Sequence, residues 1–182
     1  MSRVALKQKF IGWRMIIGAN LVDFFSAGLA FYAYAVFFGF IQDEFSASRF
    51  LVSLTVSVTI LAAGIYSPLL GYVLDKFPIK RVLTVGAIIF GAGFILLSFT
   101  QSFFQFLLVY GLVIALGMVI FGNLSTSKLI ANWFNDKIGT ALGYAAIGLS
   151  FSGVIIPPIA VFLISTFSWR GAYLIFGLFV LI

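Results

Sequence analysis

Gly71-Tyr72-Val73-Leu74-Asp75-Lys76-Phe77-Pro78-Ile79-Lys80-Arg81 is a short charged bridge between two long uncharged stretches, Phe50 to Leu74 and Val82 to Ser127. A soluble core helix can end in such a cluster, but no soluble fold of this size hides two apolar runs of that length. As one helix, the longer run would extend about 69 Å at 1.5 Å per residue. The hydrocarbon core of a bilayer is only about 30 Å thick, so that run must hold two helices. Its most polar interior triplet, Thr100-Gln101-Ser102, is the expected break. The bridge therefore joins membrane helices.

Composition bounds what such a chain can do. Of 182 residues, 63% are hydrophobic and only 9% are charged, against about 25% charged in soluble domains. The net charge of +6 could suggest nucleic acid, but the basic residues sit in short segments between apolar spans and form no single stripe. No nucleic-acid partner is expected. With neither cysteine nor histidine, the chain lacks thiol nucleophiles, thiolate metal sites and the commonest general base and metal ligand. No metal, cofactor or catalytic residue is expected, and an enzyme is disfavoured. An intramembrane serine protease fails because Gly148-Leu149-Ser150-Phe151 lacks the second glycine of the serine motif and no base is present.

Six helices are expected, at roughly 13–39, 50–74, 79–99, 103–127, 138–164 and 169–182. The basic segment Met1 to Lys9 precedes an apolar span longer than the 7 to 15 residues of a cleavable signal, so the first helix is read as uncleaved. The sixth reaches only about 21 Å before Ile182 and is read as incomplete. Arg3, Lys7, Lys9, Arg14, Lys76, Lys80, Arg81, Lys128 and Lys137 fall on one side, and only Arg49 and Arg170 on the other. Cytoplasmic loops retain positive charge, which puts the N-terminus in the cytoplasm of a cell expected to carry the protein in its plasma membrane.

Gly71-x-x-x-Asp75-Lys76-x-Pro78-x-Lys80-Arg81 resembles the signature loop between helices two and three of the major facilitator superfamily, with Pro78 where the family usually has glycine. Proline suits the first turn of a helix and should tighten the loop. Asn132-Trp133-Phe134-x-x-Lys137-x-Gly139-x-Ala141-Leu142-Gly143-x-Ala145-x-x-Gly148 looks like the start of helix five in monocarboxylate and oxalate-formate porters. Ser168-Trp169-Arg170-Gly171-Ala172-Tyr173 is similar to the family's start of helix six. The family's arginine-bearing helix-four motif appears as Gly111-x-x-x-Ala115-x-Gly117, without arginine, and its helix-five antiporter motif is not cleanly present.

The resemblance implies an all-α membrane protein, the N-terminal six-helix bundle of a major facilitator fold over residues 1–182, with the C-terminal half absent. Such transporters have two six-helix halves around a midplane site. The implied function is secondary transport of a small solute, an organic anion such as a monocarboxylate, by alternating access. The partners would be substrate, lipid bilayer, and a missing half or second chain. The rival is a half-length membrane protein without its own transport cycle: a fragment, a self-pairing half or an interaction partner.

Asp23 lies about ten residues into the first helix, roughly 15 Å deep. A charge there costs about 2.5–3.5 kcal/mol on insertion scales, so such residues face a water-filled path or a partner. A carboxyl that can shed this cost by taking up a proton suits proton coupling. The plainer reading is a neutral carboxyl bonded to a neighbouring helix through Asn20. In the resembled family the Gly71, Asp75, Lys76, Lys80 and Arg81 loop gates the cytoplasmic side against the other half; a solvated inside-positive loop is the alternative. Tyr32, Asn123 and Tyr144 are candidate cavity groups, with interhelical bonding or interfacial anchoring left open. Gly139, Gly143 and Gly148 are read as packing positions, Pro157 and Pro158 as a kink, and the 23 phenylalanines as lipid-facing bulk.

Overall fold

The computed structural model describes residues 12–134 and 138–182, and every regular element among them is helical. Arg3, Lys7, Lys9 and Lys137 lie outside the described residues. Five helices are long and apolar enough to cross a membrane: α1 (Trp13–Glu44), α2 (Arg49–Lys76), α3 (Ile79–Ser98), α4 (Phe103–Trp133) and the stretch Ile138–Leu181. At 44 residues that stretch would be about 66 Å long if straight. Ser168, with φ 66° and ψ 168°, turns it into α5 (138–167) and α6 (169–181). The protein is thus an all-helical membrane bundle.

The boundaries follow local chemistry more than hydropathy. α1 continues past Gly39, where the sequence reading ended it, because Gln42, Asp43 and Glu44 remain helical until Ser46 adopts φ 47°. Ser48 caps α2, its hydroxyl accepting from the Leu51 amide at 3.3 Å, which satisfies one of the orphan donors of a helix start. Pro78 stands immediately before α3, and its carbonyl accepts from the Arg81 amide at 2.9 Å. Ser102 caps α4 through the Gln105 amide at 3.3 Å.

α4 departs most from expectation. The reading ended it near Ser127 with a loop from Lys128, yet the chain is helical to Trp133. Gly122 (φ −107°, ψ −152°) breaks it, and a new helix starts at Asn123. The Ser125 hydroxyl donates to the Ile120 carbonyl at 2.6 Å, satisfying a group the break sets free. A break at membrane depth survives only when its polar groups are met internally. The helix also runs on through Pro157 and Pro158 with helical backbone, so the sharp bend lies at Ser168 instead of the prolines.

Two π-helical turns, Gly28–Tyr32 in α1 and Val109–Ile114 in α4, were not foreseen. Tyr110 Oη donates to the Ala30 carbonyl at 2.7 Å, tying one π turn to the other. Tyr34 Oη likewise donates to the Val52 carbonyl of α2 at 2.7 Å. Such turns loosen the helical ladder, and these hydroxyls hold the loosened segments in register.

The core is aromatic. Phe37, Phe90, Phe94 and Phe106 are wholly buried, which corrects the reading of the phenylalanines as lipid-facing; only a share of them, such as Phe50, Phe99 and Phe104, faces outward. Phe37 stacks on Tyr173 with ring centroids 4.0 Å apart, and Trp169 meets Phe45 and Phe106 edge-on. Because lipid is as apolar as these rings, burial alone does not drive helices together in a membrane, and dispersion and close approach must. Gly91 of α3 and Gly177 of α6 supply such an approach: a Cβ on either would meet the other's carbonyl oxygen at under 3.0 Å.

Candidate functional site

Asp23 is 2% exposed and sits where α1, α2, α4 and α5 converge. It lines a cavity of about 250 Å³ with Ser26 and Phe31 of α1, Ser67 of α2, Asn123 of α4 and Leu149 of α5. An unpaired carboxylate buried from water is costly. Here its partner is Thr126, whose Oγ1 lies 2.9 Å from Oδ1 and 3.1 Å from Oδ2.

The same hydroxyl is 3.0 Å from the Asn123 carbonyl oxygen. Thr126 has one hydroxyl hydrogen, so it cannot donate to both at once. With Asp23 charged, the hydrogen points to the carboxylate and the Asn123 carbonyl loses this donor. With Asp23 protonated, its O–H can donate to Thr126, which then donates to Asn123. The two charge states of Asp23 therefore carry two hydrogen-bond patterns. They differ at the first residue after the Gly122 break, and Gly122 itself accepts from the Ser125 and Thr126 amides.

Asn20 does not partner Asp23. Its Nδ2 donates to the Tyr144 carbonyl of α5 at 2.9 Å, and both residues line a separate cleft of about 400 Å³ with Trp13 and Ile147. Tyr144 also meets the Trp13 ring edge-on at 5.8 Å between centroids. Tyr32 is half-exposed beside Gly153. Of the three candidate cavity groups, only Asn123 joins Asp23 in one cavity.

Gly148 permits the α1–α5 contact. A Cβ there would lie 2.6 Å from Asn20 Oδ1 and press still harder on the Asn20 carbonyl oxygen. Nothing stands within 4 Å of a Cβ at Gly139 or Gly143, so those two glycines pack against no described neighbour. In α4, a Cβ on Gly117 would meet the Phe90 backbone at 2.6 Å, so this position takes no residue larger than glycine without a shift.

At the basic end of the bundle, Asp75 pairs with Lys128 of α4 at 2.8 Å, the side chains being 69% and 41% exposed respectively. Lys76 bonds the Tyr72 hydroxyl and lies 4.2 Å from that ring's centroid. Gly71 faces open space. The opposite end carries a second tie: Arg170 Nη1 donates to Glu44 at 2.6 Å and Nη2 to the Thr100 carbonyl at 3.1 Å. One guanidinium thus joins the end of α1, the α3–α4 turn and the start of α6.

Sequence reasoning missed Thr126 as the direct partner of Asp23 and missed the Arg170 latch. Thr126 lies 103 positions from Asp23, which leaves no local signal of the pairing. Among the described residues, no cluster of metal-ligating side chains occurs.

The sequence profile of the Major Facilitator Superfamily matches residues 24–182, beginning one residue after Asp23. The chain is 26% identical over 136 residues to an uncharacterized MFS-type transporter, YcxA, of Bacillus subtilis (strain 168), covering 75% of this chain and 33% of that protein. It is 29% identical over 167 residues to monocarboxylate transporter 4 of Mus musculus, covering 91% and 35%. Against monocarboxylate transporter 12 of Xenopus laevis it is 26% identical over 169 residues, covering 93% and 36%. The chain spans about a third of the length of these curated relatives.

Proposed function

The chain belongs to the Major Facilitator Superfamily, and on that premise we propose that it forms the N-terminal bundle of a proton-coupled secondary transporter for a small organic anion, a monocarboxylate being the leading candidate. The observation that carries the proposal is the Asp23–Thr126 pair, buried in a cavity shared by four helices and adjoining the Gly122 break. A carboxyl whose protonation redirects a hydrogen bond to a helix break has the parts a coupled carrier needs. The names of the relatives in Mus musculus and Xenopus laevis support the substrate class.

In this reading protonated Asp23 hands its hydrogen bond through Thr126 to Asn123, and loss of the proton withdraws it. The backbone around Gly122 then favours a different set of partners in each state. A ligand or proton shifts such an equilibrium only by its differential affinity for the two states, and the switched bond supplies that difference. The described lysines and arginines sit at the ends of helices, so the countercharge for an anion comes from the remainder of the transporter. A second bundle closes against the Gly71, Asp75, Lys76, Lys80 and Arg81 loop, with the Asp75–Lys128 pair setting that loop against α4. The basic end is cytoplasmic by the positive-inside rule, and the membrane is the plasma membrane.

The test is uptake of labelled lactate into proteoliposomes by the complete transporter, with and without an imposed pH gradient. Asp23→Asn should remove the response to the gradient while membrane insertion stays intact. A variant that responds to the gradient as the parent does would remove Asp23 from coupling. Absence of lactate uptake by the parent would remove the substrate assignment.

A further inference from the structure

An apolar recess of about 440 Å³ lies between α2, α3 and α4 at the basic end, next to the Asp23 cavity, with which it shares Val119. On α2 its wall is Tyr66, Leu69, Leu70 and Val73, one stripe along the helix, continued by Phe77 just past the helix end. The eleven helical residues from Tyr66 to Lys76 span about 16 Å, roughly the depth of one leaflet. Val119 of α4 lines the recess opposite, and Arg81 at the start of α3 is its only charged wall. The recess is therefore a slot along the helix axis, apolar through one leaflet and cationic at the membrane boundary.

Arg81 makes no salt bridge among the described residues, where Asp75 pairs with Lys128 and Glu44 with Arg170. A guanidinium with unused donors matches a phosphate by paired hydrogen bonds. Basic pockets between membrane helices on the cytoplasmic side are suited to anionic head groups. We infer that this slot binds one anionic phospholipid, its acyl chain lying along α2 and its phosphate held by Arg81. The slot adjoins the Asp23 cavity through Val119, which lines both, and its Arg81 belongs to the loop proposed above to meet a second bundle, so lipid and bundle would share that residue. Lys80 is exposed nearby but does not line the slot, so it serves as a control for general surface charge.

The experiment is native mass spectrometry of the full chain in mild detergent, with dioleoyl phosphatidylglycerol and dioleoyl phosphatidylcholine supplied in equal amounts. The phosphatidylglycerol adduct should exceed the phosphatidylcholine adduct about fivefold, the effect of one basic residue at a membrane surface. Arg81→Gln should bring that ratio close to one, Lys80→Gln should leave it standing, and Val85→Trp, which fills the slot from α3 without lining the Asp23 cavity, should remove both adducts. Equal retention of the two lipids by the parent overturns the inference, as does loss of selectivity in Lys80→Gln equal to that in Arg81→Gln. Leu69→Trp gives a reading with Arg81 intact: brominated phosphatidylglycerol should quench the added fluorescence more than brominated phosphatidylcholine does. Equal quenching, as expected if another protein segment covers the slot, would also overturn it.

Discussion

Gly148→Ala should damage this protein far more than Gly143→Ala, although both change a glycine to alanine in the same helix five residues apart. At Gly148 the new methyl would stand 2.6 Å from Asn20 Oδ1 and 2.9 Å from the Asn20 carbonyl carbon. Carbon contacts relax only near 3.5–4.0 Å, so α1 and α5 must part by about 1 Å. Overpacking of this kind costs about 1–3 kcal/mol, and strain on the Asn20–Tyr144 bond adds about 0.5–1.5 kcal/mol. The displacement also acts on Asp23, three residues along α1, and so disturbs its contact with Thr126 of α4 at 2.9 Å. At Gly143 no atom lies within 4 Å of the new methyl, and alanine should favour the helix by up to about 1 kcal/mol. The assay is thermal unfolding in detergent followed by size exclusion, paired with pH-gradient-driven uptake. Gly148→Ala should melt earlier and lose coupling; Gly143→Ala should do neither. Equal melting of the two variants would refute the claim that the α1–α5 crossing is fixed by this one close approach.

Arg170→Gln should cost about 1 kcal/mol, since it removes a half-exposed ion pair to Glu44 and a bond to the Thr100 carbonyl; an unchanged melting temperature would count against the latch. Asp75→Asn should leave the melting temperature nearly unchanged, because its exposed pair with Lys128 is worth about 0–1 kcal/mol, while transport by the complete protein falls. Full transport by that variant would detach Asp75 from gating.

Fold class and family were legible in the sequence, because transfer of apolar side chains into hydrocarbon depends on composition and length and not on neighbours. The bridge from Gly71 to Arg81 carried the family by its residue types and spacing. Asp23 was conspicuous for the same reason: a lone carboxyl among apolar residues has a cost that can be read without coordinates. Its partner could not be read, since Asn20 is one turn away and chemically suitable, and only the packing of α1 against α5 commits Asn20 to Tyr144. The phenylalanines were ambiguous because hydropathy does not distinguish a ring facing lipid from one facing another helix. Gly148 and Gly143 likewise read alike, and only the distance between helices separates them.

The sequence by itself determined that this chain is a bundle of membrane helices with a charged bridge of a transporter family and a carboxyl at membrane depth. Tertiary structure alone decided which side chains meet: Asp23 with Thr126, Tyr110 with the π turn at Ala30, Asp75 with Lys128, and Arg170 with Glu44. The physical reason lies in the range of the forces. Partition into hydrocarbon sums over a segment and survives any arrangement of its neighbours, whereas a hydrogen bond or a glycine contact exists only within a few ångströms, and those distances are set by helices far apart in sequence.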